Sequence, residues 1–300
     1  MESENNKSTK EFLKASIVIM RPVNCIMGSL TVIIGLLNTR TGVSFEILLI
    51  NLILGIITYY FIAGSGMIIN DIYDIEIDKI NRPSRPIPSG KVSLKQAKIL
   101  FVLTYGIGVL ISILHSLIFN LGIYNIILAV FFGFIGWLYA AWGKKQGFIG
   151  NIIVSVSFSI GLIYGAILNS FLIPIYIYFF FLTSFFLLLS REIVKGCEDI
   201  EGDKEEGVKT LAIKIGIKKA IIFSIIFEIL AIIFFISPIF TNIINPTLFF
   251  ISMLFGLVDV IIVIVLSLRK NLEKKDFKKI SLLLKVGAFL GLIAFIFASI

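Results

Sequence analysis

The 300-residue chain is 58% hydrophobic and 15% charged, with mean hydropathy +1.01, too little polar surface to clothe a water-soluble domain. Its apolar runs are continuous and reach the roughly 20 residues that span a bilayer, which specifies membrane helices and excludes a β-barrel with its period-two alternation. The net charge of +8 follows the membrane topology rather than a nucleic-acid surface, and two cysteines, Cys25 and Cys197, build neither a disulfide framework nor a metal site by themselves.

Residues 1–11 read as a polar cytosolic tail. The first span is expected over 12–38, too long for a cleavable signal peptide, and it carries Arg21-Pro22. An arginine near the centre of a span costs about 2.5–3.5 kcal/mol. Arg21 therefore either snorkels to the interface or meets an anion in a polar cavity. Further spans are expected at 46–69, 96–119, 122–142, 149–169, 172–192, 218–238, 246–268 and 279–299, giving nine in all. His115, the only histidine, falls at a helix end and is expected to be an interfacial polar residue on the side opposite the acidic stretches. Cys197 is expected to be a small packing neighbour.

Lys and Arg gather in the tail and in the loops after the second, fourth, sixth and eighth spans, whereas the intervening loops carry only Arg40. The positive-inside rule then places the N-terminus in the cytoplasm and the C-terminus outside.

The second span ends in Asn70-Asp71-Ile72-Tyr73-Asp74-Ile75-Glu76-Ile77-Asp78. Asp71, Asp74 and Asp78 are spaced i, i+3, i+7 and share one helix face, with Asn70 a turn below Asp74. Two like charges about 6 Å apart repel by roughly 3 kcal/mol at an effective dielectric near 20. Such a stripe calls for a cation, and an all-oxygen donor set suits Mg²⁺. The sixth span ends in a second acidic stretch, Arg191 to Asp203, in which Asp199 and Asp203 lie at i, i+4. Both stretches fall on the cytoplasmic side with Arg and Lys beside them, a two-sided grip on Mg²⁺ and a diphosphate. Their spacing of four spans hints at an internal repeat.

These residues resemble the UbiA superfamily of intramembrane prenyltransferases. Asn70-Asp71-x-x-Asp74-x-x-x-Asp78 resembles its first Asp-rich motif, and Asn81-Arg82-Pro83-Ser84-Arg85-Pro86-Ile87-Pro88-Ser89-Gly90 the sequence that follows it. Asp199-x-x-x-Asp203 resembles the second motif, and Gly207-Val208-Lys209-Thr210-Leu211 its continuation; Arg21-Pro22, Tyr139 and Lys144 or Lys145 also look like family positions. The resemblance implies one domain over 1–300: an all-α polytopic protein with nine transmembrane helices around a central cavity, capped by cytoplasmic loops. It implies Mg²⁺-dependent transfer of a prenyl group from a prenyl diphosphate. Asn70, Asp71, Asp74, Asp78, Asp199 and Asp203 would hold metal. Arg82, Arg85, Lys145 and Lys195 would bind diphosphate oxygens, and Tyr139 would shield an allylic cation. Glu198 to Asp203 is most similar to the archaeal ether-lipid branch. There the acceptor is the hydroxyl of geranylgeranylglyceryl phosphate and the donor geranylgeranyl diphosphate; the acceptor's phosphate would meet Arg21 or Lys144. The alternative acceptor is aromatic, 4-hydroxybenzoate or dihydroxynaphthoate. Rival classes are a secondary transporter and a non-catalytic scaffold. Membrane lipid is an expected partner, whereas nucleic acid and an obligate protein partner are not.

Overall fold

The structure is a computed structural model describing residues 2–205 and 207–300. Met1, which opens the expected tail, lies outside the described residues; from Glu2 the tail is already helical. Among the described residues every regular element is a helix: α1 (Glu2–Val18), α2 (Pro22–Asn38), α3 (Phe45–Tyr73), α4 (Ile75–Asn81), α5 (Leu94–Phe119), α6 (Tyr124–Ala141), a 3₁₀ turn (Gly143–Gln146), α7 (Phe148–Ile167), α8 (Ile175–Glu198), α9 (Ile200–Glu205), α10 (Leu211–Ile215), α11 (Ile217–Ile236), a 3₁₀ turn (Ser237–Phe240), α12 (Pro246–Ser267) and α13 (Lys274–Phe297).

Among the described residues eight helices are long and apolar enough to cross a membrane, and the expected first span supplies a ninth only as a broken pair bent by 42°. The break follows from Arg21-Pro22. Proline has no N–H to donate and drives the residue before it out of the α region. Arg21 takes φ 50°, and Pro22 opens α2.

Chain contacts divide the molecule into two compact units, residues 1–30 with 49–141 and residues 31–48 with 142–300. In the first unit, Ala15 and Ile19 of α1, Ile68 of α3, Ile87 and Val92 of the following loop and Ala97 of α5 form one buried cluster. It fixes the end of α3, where the acidic stretch begins. The Ser93–Gln96 capping box starts α5. α5 and α6 meet where the Tyr105 ring lies over Gly133 and its hydroxyl donates to the Val130 carbonyl at 2.9 Å. His115 corrects the expectation. It is fully buried, not interfacial, with Nε2 at 2.9 Å from Asn51 Oδ1. Its partner lies 64 residues away, beyond the reach of local patterning.

In the second unit α8 packs against α7, α11 and α13, and α12 against α13. Phe180, Phe235, Phe249 and Phe295 fill this core, with Phe180 and Phe295 stacked at 3.9 Å. Ser190 of α8 donates to Glu228 of α11 at 2.7 Å, both fully buried. Residues 31–38 of α2 cross α7 with backbone against backbone. A Cβ at Gly35 would strike the Leu162 carbonyl, and one at Gly165 the Val32 carbonyl. Interfaces built from small residues let membrane helices approach this closely.

Gly165→Ala is therefore expected to lower stability by about 1–3 kcal/mol, whereas Gly106→Ala, inside α5 with nothing within 4 Å of its Cβ, should not lower it and gains up to about 1 kcal/mol of helix propensity. Cys25 and Cys197 are free and buried, so the rate at which a thiol-reactive dye labels the heated, detergent-solubilised protein reports the difference.

Candidate functional site

The first acidic stretch keeps its helical register through a break. α3 ends at Tyr73, Asp74 takes φ −90° and ψ 5°, and α4 begins at Ile75. The hydrogen-bond ladder nevertheless continues: Asp74 N–H donates to the Asn70 carbonyl at 2.9 Å, Asp78 N–H to Asp74 at 2.8 Å, and Arg82 N–H to Asp78 at 2.9 Å. Asp71, Asp74 and Asp78 consequently share one sheltered face, at 2%, 7% and 3% exposure. On the opposite face Tyr73 and Glu76 are exposed, and Glu76 pairs with Lys79 at 2.8 Å.

Buried carboxylates need countercharge, and two arginines supply it to Asp71 and Asp78. Arg85 is returned to the stripe by the turn after α4, where Arg85 N–H donates to the Arg82 carbonyl and Val92 N–H to Pro86, each at 3.0 Å. Its Nη1 lies 3.2 Å from Asp71 Oδ1 and also bonds Asp78. Arg21 bonds the same Asp71 oxygen and reaches Met67 Sδ at 3.8 Å. Of the two readings open for Arg21, its partner is an anion. Its left-handed backbone, uncommon outside glycine, is the cost of aiming it there. Arg82 stands apart from its neighbour: exposed, it caps α4 through its backbone.

Asn70 Oδ1 is buried without a partner, next in sequence to Asp71 and one turn from Asp74. An orphaned carbonyl oxygen among carboxylates is a donor set that fits a hard divalent cation. Among the described residues no three His, Cys, Asp or Glu side chains gather as a self-sufficient metal cluster. Mg²⁺ characteristically takes only one or two carboxylates and completes its shell with water and substrate phosphate, so the first stretch matches its habit.

The second stretch repeats the backbone design. α8 ends at Glu198, Asp199 takes φ −102° and ψ 16°, and α9 begins at Ile200. Asp199 N–H donates to Lys195, and Asp203 N–H to Asp199, both at 2.9 Å. The carboxylates differ in setting: Asp199 is exposed and Asp203 half-buried. Lys195 lies 3.7 Å from Glu192 Oε2, and Arg191 bonds Glu192 Oε1 at 2.8 Å. Lys195, expected at the diphosphate, thus pairs with Glu192 on its own helix, as their i, i+3 spacing signals, whereas Arg191 was given no role from sequence. Arg191 Nε is buried without a partner. Cys197 packs among Ile193, Val194 and Ala212, an inert neighbour as expected.

Lys144 and Lys145 occupy the 3₁₀ turn before α7, the former half-buried and the latter exposed. This turn is tied to the tail of the second stretch. Lys209 N–H donates to the Lys145 carbonyl at 3.2 Å, and Gly147, at φ 63°, runs so close to the Lys209 carbonyl that no Cβ fits. Thr210, which caps α10, packs on Gly196. Tyr139 sits half-buried on α6, in the first unit. Arg21, Asn70, Asp71, Asp74, Asp78, Arg82, Arg85 and Tyr139 thus belong to the first unit, and Lys144, Lys145, Lys195, Asp199 and Asp203 to the second.

Residues 29–295 match the UbiA prenyltransferase family. The chain is 36% identical over 291 residues to the digeranylgeranylglyceryl phosphate synthase of Sulfurisphaera tokodaii, covering 94% of this chain and 97% of that one. It is 35% identical over 291 residues to the synthase of the same name from Methanocaldococcus jannaschii, covering 97% and 98%. A solved structure of a digeranylgeranylglyceryl phosphate synthase superposes with TM-score 0.82 at 33% identity, covering 96% of this chain and 99% of the other. A UbiA homologue from Archaeoglobus fulgidus, solved with GPP and Mg²⁺, shares the fold with TM-score 0.69 at 16% identity, over 94% and 99%.

The arginine network carries its own test. Arg85→Leu strands Asp78 and should destabilise the protein by about 3 kcal/mol or more. Adding Asp78→Leu should recover part of that, with a coupling of about 1–3 kcal/mol in a double-mutant cycle of thermal unfolding; additive losses would show that the pair does not interact.

Proposed function

The chain belongs to the UbiA prenyltransferase family, and we propose that it transfers a geranylgeranyl group from geranylgeranyl diphosphate to the free hydroxyl of geranylgeranylglyceryl phosphate. The product is the diether phosphate of archaeal membrane lipid. The observation that carries this reading is likeness to synthases of that name at 31–39% identity, over three quarters or more of the chain. The same likeness disfavours an aromatic acceptor. The family match runs through both compact units, which supports treating residues 1–300 as one domain.

Asn70, Asp71, Asp74 and Asp78, with Asp199 and Asp203, would hold Mg²⁺ against the diphosphate. When bound, Mg²⁺ supplies Lewis-acid charge that makes diphosphate a better leaving group. Arg85 and Arg21 already stand at Asp71. As diphosphate enters, the Arg85 guanidinium turns donors toward its oxygens and frees the carboxylates it neutralises. Arg82, Lys145 and Lys195 add cationic donors, and Arg21 or Lys144 meets the acceptor's phosphate during transfer. The allylic C–O bond breaks with its electron pair leaving on diphosphate, and charge on those oxygens is offset by fixed cations. The Tyr139 ring faces the allylic cation and, with the apolar helices, keeps water from it. The acceptor oxygen bonds to C1 and its proton passes to the released diphosphate, the base the reaction itself supplies. The chain is a multi-pass membrane protein, and the charge pattern of its loops supports a cytoplasmic N-terminus and cytoplasmic chemistry.

Purified protein supplied with radiolabelled geranylgeranyl diphosphate is expected to label geranylgeranylglyceryl phosphate and neither 4-hydroxybenzoate nor dihydroxynaphthoate. Label in an aromatic acceptor alone would overturn the assignment. Excess EDTA should abolish turnover and Mg²⁺ restore it. Asp199→Asn, at an exposed carboxylate, is expected to lower kcat by roughly 100-fold or more with little change in melting temperature.

A further inference from the structure

The prenyl-transfer reading requires two phosphate-bearing lipids, and the arginines of the first stretch are already engaged with carboxylates. A separate cation set lies in the second unit. There α9, α10 and the start of α11 enclose a groove of ≈ 530 Å³ lined by Ile200, Ala212, Ile213, Ile215 and Ile217 and by Lys204, Lys218 and Lys219. The isoleucines are half-buried and form an apolar floor; the three lysines are exposed along its rim. Among the described residues none of the three has a carboxylate partner. Gly216, at φ 85°, turns the chain into α11 without a capping side chain, so the opening amides of that helix add positive character. The membrane span of α11 begins at Ile217, which puts the lysines at headgroup depth.

We propose that this groove captures the phosphate monoester headgroup of the lipid acceptor at the membrane surface before transfer. A monoester near neutral pH carries about −1.5 to −2 charges, matched by three lysines, and its apolar chains leave along the isoleucine floor into the bilayer. The inference rests on the proposed reaction for the identity of the acceptor. Each lysine near a lipid phosphate contributes roughly fivefold in affinity.

Wild type and the triple variant Lys204→Gln/Lys218→Gln/Lys219→Gln are compared in nanodiscs of neutral phosphatidylcholine. With geranylgeranylglyceryl phosphate as acceptor, the variant is expected to raise acceptor KM by about 100-fold. Its kcat at saturating acceptor and its KM for prenyl diphosphate should stay unchanged, and the triple Arg variant should restore acceptor KM. Native mass spectrometry should show the lipid monophosphate retained by wild type and lost from the Gln variant without turnover. An unchanged acceptor KM, or an equal rise in both KM values, overturns the proposal. So does competition by added phosphatidylglycerol, an anionic diester, which would make the groove a general lipid site. Wild type that retains the lipid monophosphate but never alkylates it would sink the reaction while leaving the groove standing.

Discussion

Everything at the first acidic stretch depends on neutralising carboxylates at the end of a bilayer-spanning helix. Asp71 and Asp78 are nearly sealed from water, where an unpaired charge is costly. Arg85 spans both, and Arg21 arrives from the break between α1 and α2 to complete the set. That demand explains features that look unrelated: the broken first span, the left-handed backbone at Arg21, and the Pro-rich turn that brings Arg85 back. Buried pairs of this kind add little net stability but are expensive to half-remove. On the proposed reaction, they hold oxygen donors in place until a metal and a phosphate take over their charge.

The spans and the shared acidic face were legible because both are local, periodic signals. Nine apolar runs became eight long helices and one bent pair, with Pro22 marking the bend. The spacing of Asp71, Asp74 and Asp78 survived the break at Asp74 because the backbone ladder carries on through it. What stayed hidden was decided by distant partners. His115 looked interfacial from its place near a helix end, yet Asn51 and its neighbours bury it. Arg82 and Arg85 looked equivalent in sequence, and only the turn between them separates an exposed cap from an ion-pair partner. The cation-rimmed groove needed α9, α10 and α11 to fold together before it existed.

The two acidic stretches share a backbone plan more than a side-chain environment. Each ends a long helix one residue before an aspartate, restarts as a short helix, and bonds that aspartate's carbonyl to the amide four residues on. This gives physical content to the internal repeat suggested by their four-span spacing. The same joint presents sheltered carboxylates at Asp71 to Asp78 and more open ones at Asp199 and Asp203. Carboxylates differing in burial differ in hydration and in how tightly fixed cations hold them, so one joint serves two electrostatic settings.

The Ser190–Glu228 bond has a bearing on biogenesis. A glutamate midway along a hydrophobic segment resists lateral release from the translocation channel into lipid. α8 leaves the ribosome before α11, so Ser190 can already be waiting in the bilayer as the glutamate emerges. Docking with the earlier helix thereby lowers the cost of seating the later one, and the order of synthesis favours that order of assembly.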